Sequence, residues 1–334
     1  MFSKKIAIDL GTANSLVYLE SEGVVLNEPT VVAVSSEDGE ILAVGNAAKE
    51  MLGRTPEGIE ASRPLREGVI ADYIVTEAML RFFLDKVAGS TRFFKPDVMV
   101  CVPAGVTSVE RRAVLDATLS AGAKTAYLIE EPLAAAIGAK IPISIPSGNM
   151  IIDIGGGSTE AAVISLGGVV VHRSARIAGN RVDEAITVYV RRKFNLIIGE
   201  RTAEEVKLAL ASATQENKES STEVRGRDSI TGLPKLVELK SSELTEAIQP
   251  VLNEILEAIK QVLEETPPEL ASDIIDKGIV MSGGTSLLKN LDKYFTQVLG
   301  VPCHVAEDPL LCVVYGTGIA LENMDLYKRS ITRR

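Results

Sequence analysis

Ile6-Ala7-Ile8-Asp9-Leu10-Gly11-Thr12 is an apolar strand that stops on an acid and a glycine, and the chain repeats the device at Met150-Ile151-Ile152-Asp153-Ile154-Gly155-Gly156. The first copy continues through Leu16-Val17-Tyr18-Leu19 to Gly23, the second through Ala161-Ala162-Val163-Ile164 to Gly167. The step from Asp9 to Asp153 and that from Gly23 to Gly167 are both 144 residues. A strand that ends in Asp-apolar-Gly and folds back places a carboxylate and several free backbone N–H groups at one tip. Two such tips facing each other would hold the phosphates of a nucleotide and its metal between them.

The residues around each tip suit that chemistry. Gly11, Thr12, Ala13 and Asn14 offer N–H donors with little side-chain obstruction, and Gly155, Gly156, Gly157 and Ser158 offer the same from the other side. Asp9 and Asp153 are hard oxygen donors suited to Mg²⁺ through its retained waters. Either motif alone reads as well as a tight glycine turn beside a buried aspartate; the shared register argues against that for the pair. A third glycine turn, Ser282-Gly283-Gly284-Thr285-Ser286, follows the strand Lys277 to Met281 and precedes the helical run Leu287 to Leu291, an arrangement that lets backbone approach a flat nucleoside. In Glu130-Glu131-Pro132, Pro132 suits the first helical position, so Glu131 is expected at the cap, able to orient or deprotonate a water if the helix opens onto a cleft.

With 334 residues the chain exceeds the size at which one core usually keeps growing, so two domains are expected. Its 46% hydrophobic and 24% charged residues fit an ordinary globular protein. A net charge of −10 argues against nucleic acid as partner. Cys101, Cys303 and Cys312 lack metal-ligand spacing and fit a reduced cytoplasmic compartment. His172 and His304 sit in strand-like runs and read as satisfied structural residues. No apolar run is long enough to span a membrane, and Met1 to Lys5 lead directly into a strand, which leaves no room for a signal peptide.

Along the chain, Thr107-Ser108-Val109-Glu110 has capping-box spacing for a helix ending near Gly122, and Thr202-Ala203-Glu204-Glu205 repeats it. Asn180 is expected to cap a helix whose apolar face is Val182, Ile186, Tyr189 and Val190. The longest helix is expected from about Ser242 to Glu265, kinked at Pro250 and stopped by Thr266-Pro267-Pro268. Ser212 to Asp228 is polar and reads as an exposed loop. Gly316 and Gly318, in the helix-like run Leu310 to Asn323, read as close-packing residues. The whole is an α/β chain with a duplicated unit and a cleft between the halves, where such folds place ligands.

The order of phosphate hairpin, Glu-Glu-Pro, second phosphate hairpin and Gly-Gly nucleoside turn resembles the actin, DnaK-type chaperone and sugar-kinase superfamily. Within it the chain is similar to the MreB family of bacterial actins, through Asp9 to Asn14, Leu26-Asn27-Glu28-Pro29, Ile129 to Gly138, Gly148 to Gly157, Gly199 to Glu205, Arg225-Gly226-Arg227-Asp228 and Thr266 to Leu270. The resemblance covers nearly the whole chain. It implies a duplicated actin-like ATPase fold, two lobes of four subdomains. The first lobe would span 1–140, with subdomain IB at about 30–67, completed by a C-terminal helix at about 309–334; the second would span 141–308, with IIB at about 180–242. It implies binding of ATP and Mg²⁺, slow hydrolysis, and homopolymer filaments on the inner face of the cell membrane that organise cell-wall elongation proteins and maintain rod shape.

By motif position, Asp9 and Asp153 would serve the metal, Gly11, Thr12, Ala13, Asn14, Gly155, Gly156, Gly157 and Ser158 the phosphates, and Glu131 with Ser158 the hydrolytic water. Glu204, Lys207, Gly283 and Gly284 would border the adenosine. Three residues depart from the family pattern: Ser158 for threonine, Asn180 for aspartate and Thr285 for a third glycine, the last expected to tighten the base pocket. Phe93 and Phe94, in Thr91-Arg92-Phe93-Phe94-Lys95-Pro96, correspond to a loop that inserts into the bilayer in the family, with Lys4, Lys5, Lys328, Arg329, Arg333 and Arg334 supplying basic termini. Two other classes are weighed. A small-molecule kinase would need a sugar site, for which little in the sequence speaks, and a DnaK-type chaperone would need a peptide-binding domain after the ATPase.

Overall fold

The computed structural model describes residues 4–89 and 95–333. Two sheets carry the architecture. The first has six strands in the order Ile331–Arg333, Thr125–Glu130, Asp97–Val102, Lys5–Leu10, Asn14–Leu19 and Gly23–Pro29. The second has five, in the order Gly168–Ala175, Thr159–Ser165, Asn149–Ile154, Ile279–Ser282 and Cys303–Val305. Both expected hairpins form: Lys5–Leu10 pairs antiparallel with Asn14–Leu19, and Asn149–Ile154 with Thr159–Ser165.

The central strands read as unbroken apolar runs because both faces of each sheet are covered. With side chains alternating along a strand, Ile6, Ile8 and Leu10 enter an outer core with Met79, Phe83 and Leu115 of the helices Tyr73–Ala88 and Ser108–Ser120. Ala7 faces the other way, into a layer shared with Ile151 of the second sheet and with the helices Glu131–Gly138 and Cys312–Glu322. Met150, Ile152 and Ile154 face the second lobe's outer core around the helix Ser241–Glu265. Period two therefore turns Asp9 with Ala7, and Asp153 with Ile151, toward the layer between the sheets.

The two inner helices cross at contact distance. A Cβ built on Gly316 would fall 1.7 Å from the carbonyl oxygen of Ala134, and one on Gly138 would fall 1.8 Å from that of Cys312. Gly318 lies against the ring of Tyr18. These glycines are the close-packing residues the sequence suggests.

Several local expectations shift. Thr107 forms the capping box with Glu110, and its helix ends at Ser120. Thr202, in contrast, lies inside its helix, which starts at Glu200 after Gly199, a residue that serves as N-cap without a side chain. Asn180 is not a cap: the helix begins at Gly179, and the Asn180 N–H donates to the carbonyl of Gly156. The long helix runs Ser241–Glu265, continues through Pro250 and is followed by Thr266. Ser212 to Asp228 is only half loop, since Ser221–Asp228 is a strand between Leu196–Ile197 and Pro234–Lys240. That strand buries little more than Val224, which is why its composition reads as polar loop. After Gly283 comes a short 3-10 turn, Gly284–Leu287, and the helix begins only at Leu291. The C-terminal segment is not helical to its end: after Cys312–Glu322 and Met324–Tyr327 it becomes the edge strand Ile331–Arg333, with the Arg333 guanidinium over the Tyr127 ring.

Candidate functional site

The two strand tips meet. A Cβ on Gly157 would fall 2.4 Å from Thr12 Oγ1, and one on Gly156 would fall 2.6 Å from Ala13 Cβ, so only glycines let the two loops interlock this closely. Each loop is braced within its own lobe. Thr30 donates its hydroxyl to the Gly11 carbonyl at 2.6 Å, and the Gly155 N–H donates to the Ser158 carbonyl at 2.9 Å. A third turn closes over them: the Gly68 N–H donates to Thr12 Oγ1 at 3.0 Å, and a Cβ on Gly68 would reach Ser158 Oγ at 3.0 Å.

Four carboxyl groups gather beneath these loops. Burial, reinforced by the Asp153 carboxylate, pushes Asp9 up to about 7, against a hydrogen bond from the Cys101 thiol at 3.3 Å. Burial raises Asp153 to about 6, opposed by the Ser282 hydroxyl, which donates to it at 2.6 Å. Glu131 is held well above the ordinary carboxylate range by burial and then by Glu160, Asp9 and Asp153. Glu160 rises to about 8, again mainly through burial, although the Ser174 hydroxyl and the Ala104 N–H both donate to it. Among the described residues these acids have only neutral donors as partners. Crowded carboxylates without a cation fit a divalent ion carried with its water shell. No three acidic, cysteine or histidine side chains among the described residues converge as direct ligands, and a hydrated Mg²⁺ does not need them to.

Glu131 is the first residue of the helix Glu131–Gly138 and Glu130 its cap, one position from the sequence expectation; Pro132 occupies the second helical position, which also lacks an intrahelical N–H partner. Glu131 is buried, with 8% of its surface exposed.

The residues expected to border a nucleoside are more dispersed. Gly283, at φ +81°, sits 2.3 Å (as a built Cβ) from the Ile154 carbonyl, and its N–H donates to Pro309. Gly284 lies beside Leu310. Thr285 donates its hydroxyl to the Gly155 carbonyl at 2.7 Å and so ties this turn to the phosphate loop. Lys207 donates to Asp183 at 2.9 Å and to the Gly179 carbonyl, beside that same loop. Glu204 points elsewhere, into a 2.9 Å ion pair with Lys49 of the first lobe. Phe93 and Phe94 lie outside the described residues.

Sequence reasoning missed Glu160, Cys101 and Asp183. Asp183 pairs with Lys207 through Oδ2, while its Oδ1 is buried without a hydrogen-bond partner. His172 Nδ1 is likewise unpartnered, so the reading of His172 as fully satisfied does not hold. Glu160 left a signal. One step of 144 residues maps it onto Leu16, and an acid where the duplicate has a core leucine is the anomaly to have noticed.

A family model described as MreB/Mbl protein matches residues 3–329. The chain is 51% identical over 333 residues to the cell shape-determining protein MreB of Escherichia coli (strain K12), covering 98% of this chain and 96% of that protein. It is 48% identical over 333 residues to the cell shape-determining protein Mbl of Bacillus subtilis (strain 168), covering 99% and 100%. The solved structure of MreB5 of Spiroplasma citri bound to AMPPNP superposes with a TM-score of 0.93 at 38% identity, covering 98% of this chain and 99% of that one. With its two lobes around a cleft of interlocked phosphate loops, the chain has the actin-like ATPase fold and belongs to the MreB/Mbl family.

Proposed function

We propose that this chain is a slow, Mg²⁺-dependent ATPase whose output is a polymer: filaments that lie on the inner face of the cell membrane and organise cell-wall elongation to maintain rod shape. The observation that carries the reading is the meeting of the two duplicated tips, which brings Asp9, Glu131 and Asp153 beneath the interlocked loops of Gly11 to Asn14 and Gly155 to Ser158. In this reading the backbone N–H groups of both loops receive the phosphates, and Asp9 and Asp153 hold the metal's waters. Bound Mg²⁺ would supply screening of the phosphate charge. Glu131 orients the attacking water and accepts its proton, with the Ser158 hydroxyl fixing the water from the other side. Lys207, steadied by Asp183, borders the adenosine with Gly283 and Gly284, and Glu204 joins them once it leaves Lys49.

The lobes divide near residue 140, so closing them over the nucleotide brings both loops onto the same phosphates. Phe93 and Phe94 anchor the polymer to lipid. No helix among the described residues is long and apolar enough to cross a membrane, so attachment rests on such a loop and on basic residues. Electron microscopy of the purified protein with ATP and anionic liposomes tests the whole. Filaments lying on lipid are the expected result; dispersed monomers under all nucleotide conditions would favour a small-molecule kinase of the same superfamily.

A further inference from the structure

The two hairpins are copies, and they differ at one buried position with consequence. Opposite Asp9 in the first hairpin stands Leu16; opposite Asp153 in the second stands Glu160. Leu16 is 5% exposed and Glu160 is 1% exposed. The fold itself is served by an apolar side chain here, as the first copy demonstrates. An acid at the duplicate position carries a desolvation cost that packing does not require.

The surroundings of Glu160 are built for it. One carboxylate oxygen accepts the Ala104 N–H at 3.1 Å, from the loop that follows the first-lobe strand Asp97–Val102. The other accepts the Ser174 hydroxyl from the neighbouring second-lobe strand. Glu160 is thus held from both lobes at once. Gly105 makes the approach possible, because a Cβ there would fall 2.9 Å from Ser174 Cβ. The first-lobe side of the contact leads on to the cleft: Arg111 donates to the Ala104 carbonyl at 3.5 Å and to Glu130 at 2.8 Å, and Glu130 caps the helix that starts with Glu131. Glu160 also acts on Glu131 through space, as the first of the three neighbouring acids that help raise it.

We propose that Glu160 is a positioning residue for hydrolysis: by joining the Ala104 loop of the first lobe to Ser174 of the second, it fixes the orientation of Glu131 when the lobes close. This rests on the assignment of ATP hydrolysis to the cleft and adds a residue that acts through Glu131 without touching substrate. Glu160→Gln keeps the shape and one acceptor but replaces the second acceptor with an N–H₂ donor. Ser174→Ala removes one of the two bonds and leaves the carboxylate.

The test measures steady-state ATP hydrolysis, KM and nucleotide affinity by calorimetry for the full chain, its Glu160→Gln, Ser174→Ala and Glu131→Gln variants, and the Glu131→Gln/Glu160→Gln double variant. Expected are a fall in kcat of roughly 10- to 100-fold for Glu160→Gln and a smaller fall in the same direction for Ser174→Ala, with KM and affinity within about threefold of wild type. The double variant should be no slower than Glu131→Gln alone, as action through Glu131 requires. Multiplicative losses in the double variant, or a KM that rises while kcat holds, would overturn the proposal. If Glu160→Gln fails to fold, Ser174→Ala decides, and a wild-type kcat there is equally fatal. A wild-type chain that binds ATP without hydrolysing it, or does not bind it, would instead defeat the parent reading.

Discussion

Replacing Gly316 by alanine should both destabilise the protein and slow hydrolysis, although Gly316 contacts no nucleotide. The added Cβ would lie 1.7 Å from the Ala134 carbonyl oxygen, in a helix whose first residue is Glu131. An ordinary carbon-to-oxygen contact is about 3.3 Å, so the two helices must separate by roughly 1.5 Å or twist apart. Overpacking of a core costs about 1–3 kcal/mol, and here the obstacle is backbone, which cannot rotate away, so the upper part of that range applies. Alanine's better helix propensity returns about 1 kcal/mol. The net loss is on the order of 2 kcal/mol, or roughly 3 °C in Tm for a chain of 334 residues. A displacement of about 1 Å at a catalytic group costs about 100-fold in rate, so kcat should fall by roughly that factor while ATP affinity, set by the loops, changes little. Thermal unfolding and steady-state hydrolysis, with Gly168→Ala as control, test this; a Cβ on Gly168 meets nothing nearer than 3.9 Å. A Gly316→Ala variant that melts and hydrolyses like the control would refute the claim that close helix crossing sets the position of Glu131.

Glu131→Ala should retain nucleotide binding and lose roughly 10²–10⁴-fold in hydrolysis, the usual contribution of a positioned acid–base group; an unchanged steady-state rate removes it from the mechanism. Asp9→Ala and Asp153→Ala should each weaken Mg²⁺-ATP binding by calorimetry, and wild-type affinity in both would dismiss the metal assignment. The same acids set a pH dependence. Asp9 moves from an ordinary 3.8 to about 7 and Asp153 to about 6, so the folded nucleotide-free chain holds protons that the unfolded chain has released between those values. Stability is therefore greatest below about pH 4 for these groups and falls as pH rises to about 7, by up to roughly 4 kcal/mol for Asp9 alone. Bound cation relieves that cost, and the gain in Tm on adding Mg²⁺-ATP should be larger at pH 8 than at pH 5.5; equal gains at the two values would contradict it. Phe93→Ser with Phe94→Ser should abolish co-sedimentation with anionic liposomes and spare ATP binding, because two inserted phenylalanines supply only about 3–6 kcal/mol and the polymer must multiply them.

Much of this protein is written locally. The Asp9 and Asp153 hairpins are legible because each turn depends on adjacent residues, an apolar strand followed by acid and glycine, and because duplication repeats the spacing. Period two even assigns both aspartates to one face. The capping box at Thr107 and the end of the long helix after Glu265 follow for the same reason, since caps and prolines act within a single turn. Where several residues can cap, local reading slips by one to three positions, as at Glu130, Ala178 and Gly199. A strand with one exposed face, Ser221–Asp228, loses its apolar signature and passes for a loop.

Tertiary structure alone decided the rest. That Gly316 must be glycine depends on Ala134, far away in the chain, and that Glu204 pairs with Lys49 depends on how the lobes stand. Glu160 belongs to both accounts. Its sequence position, opposite an aspartate where the duplicate has Leu16, marks it as anomalous. Only the approach of Ala104 and Ser174 gives its buried carboxyl the hydrogen bonds that make it tolerable, because electrostatic and desolvation energies are set by what surrounds a group in space and not by its neighbours along the chain.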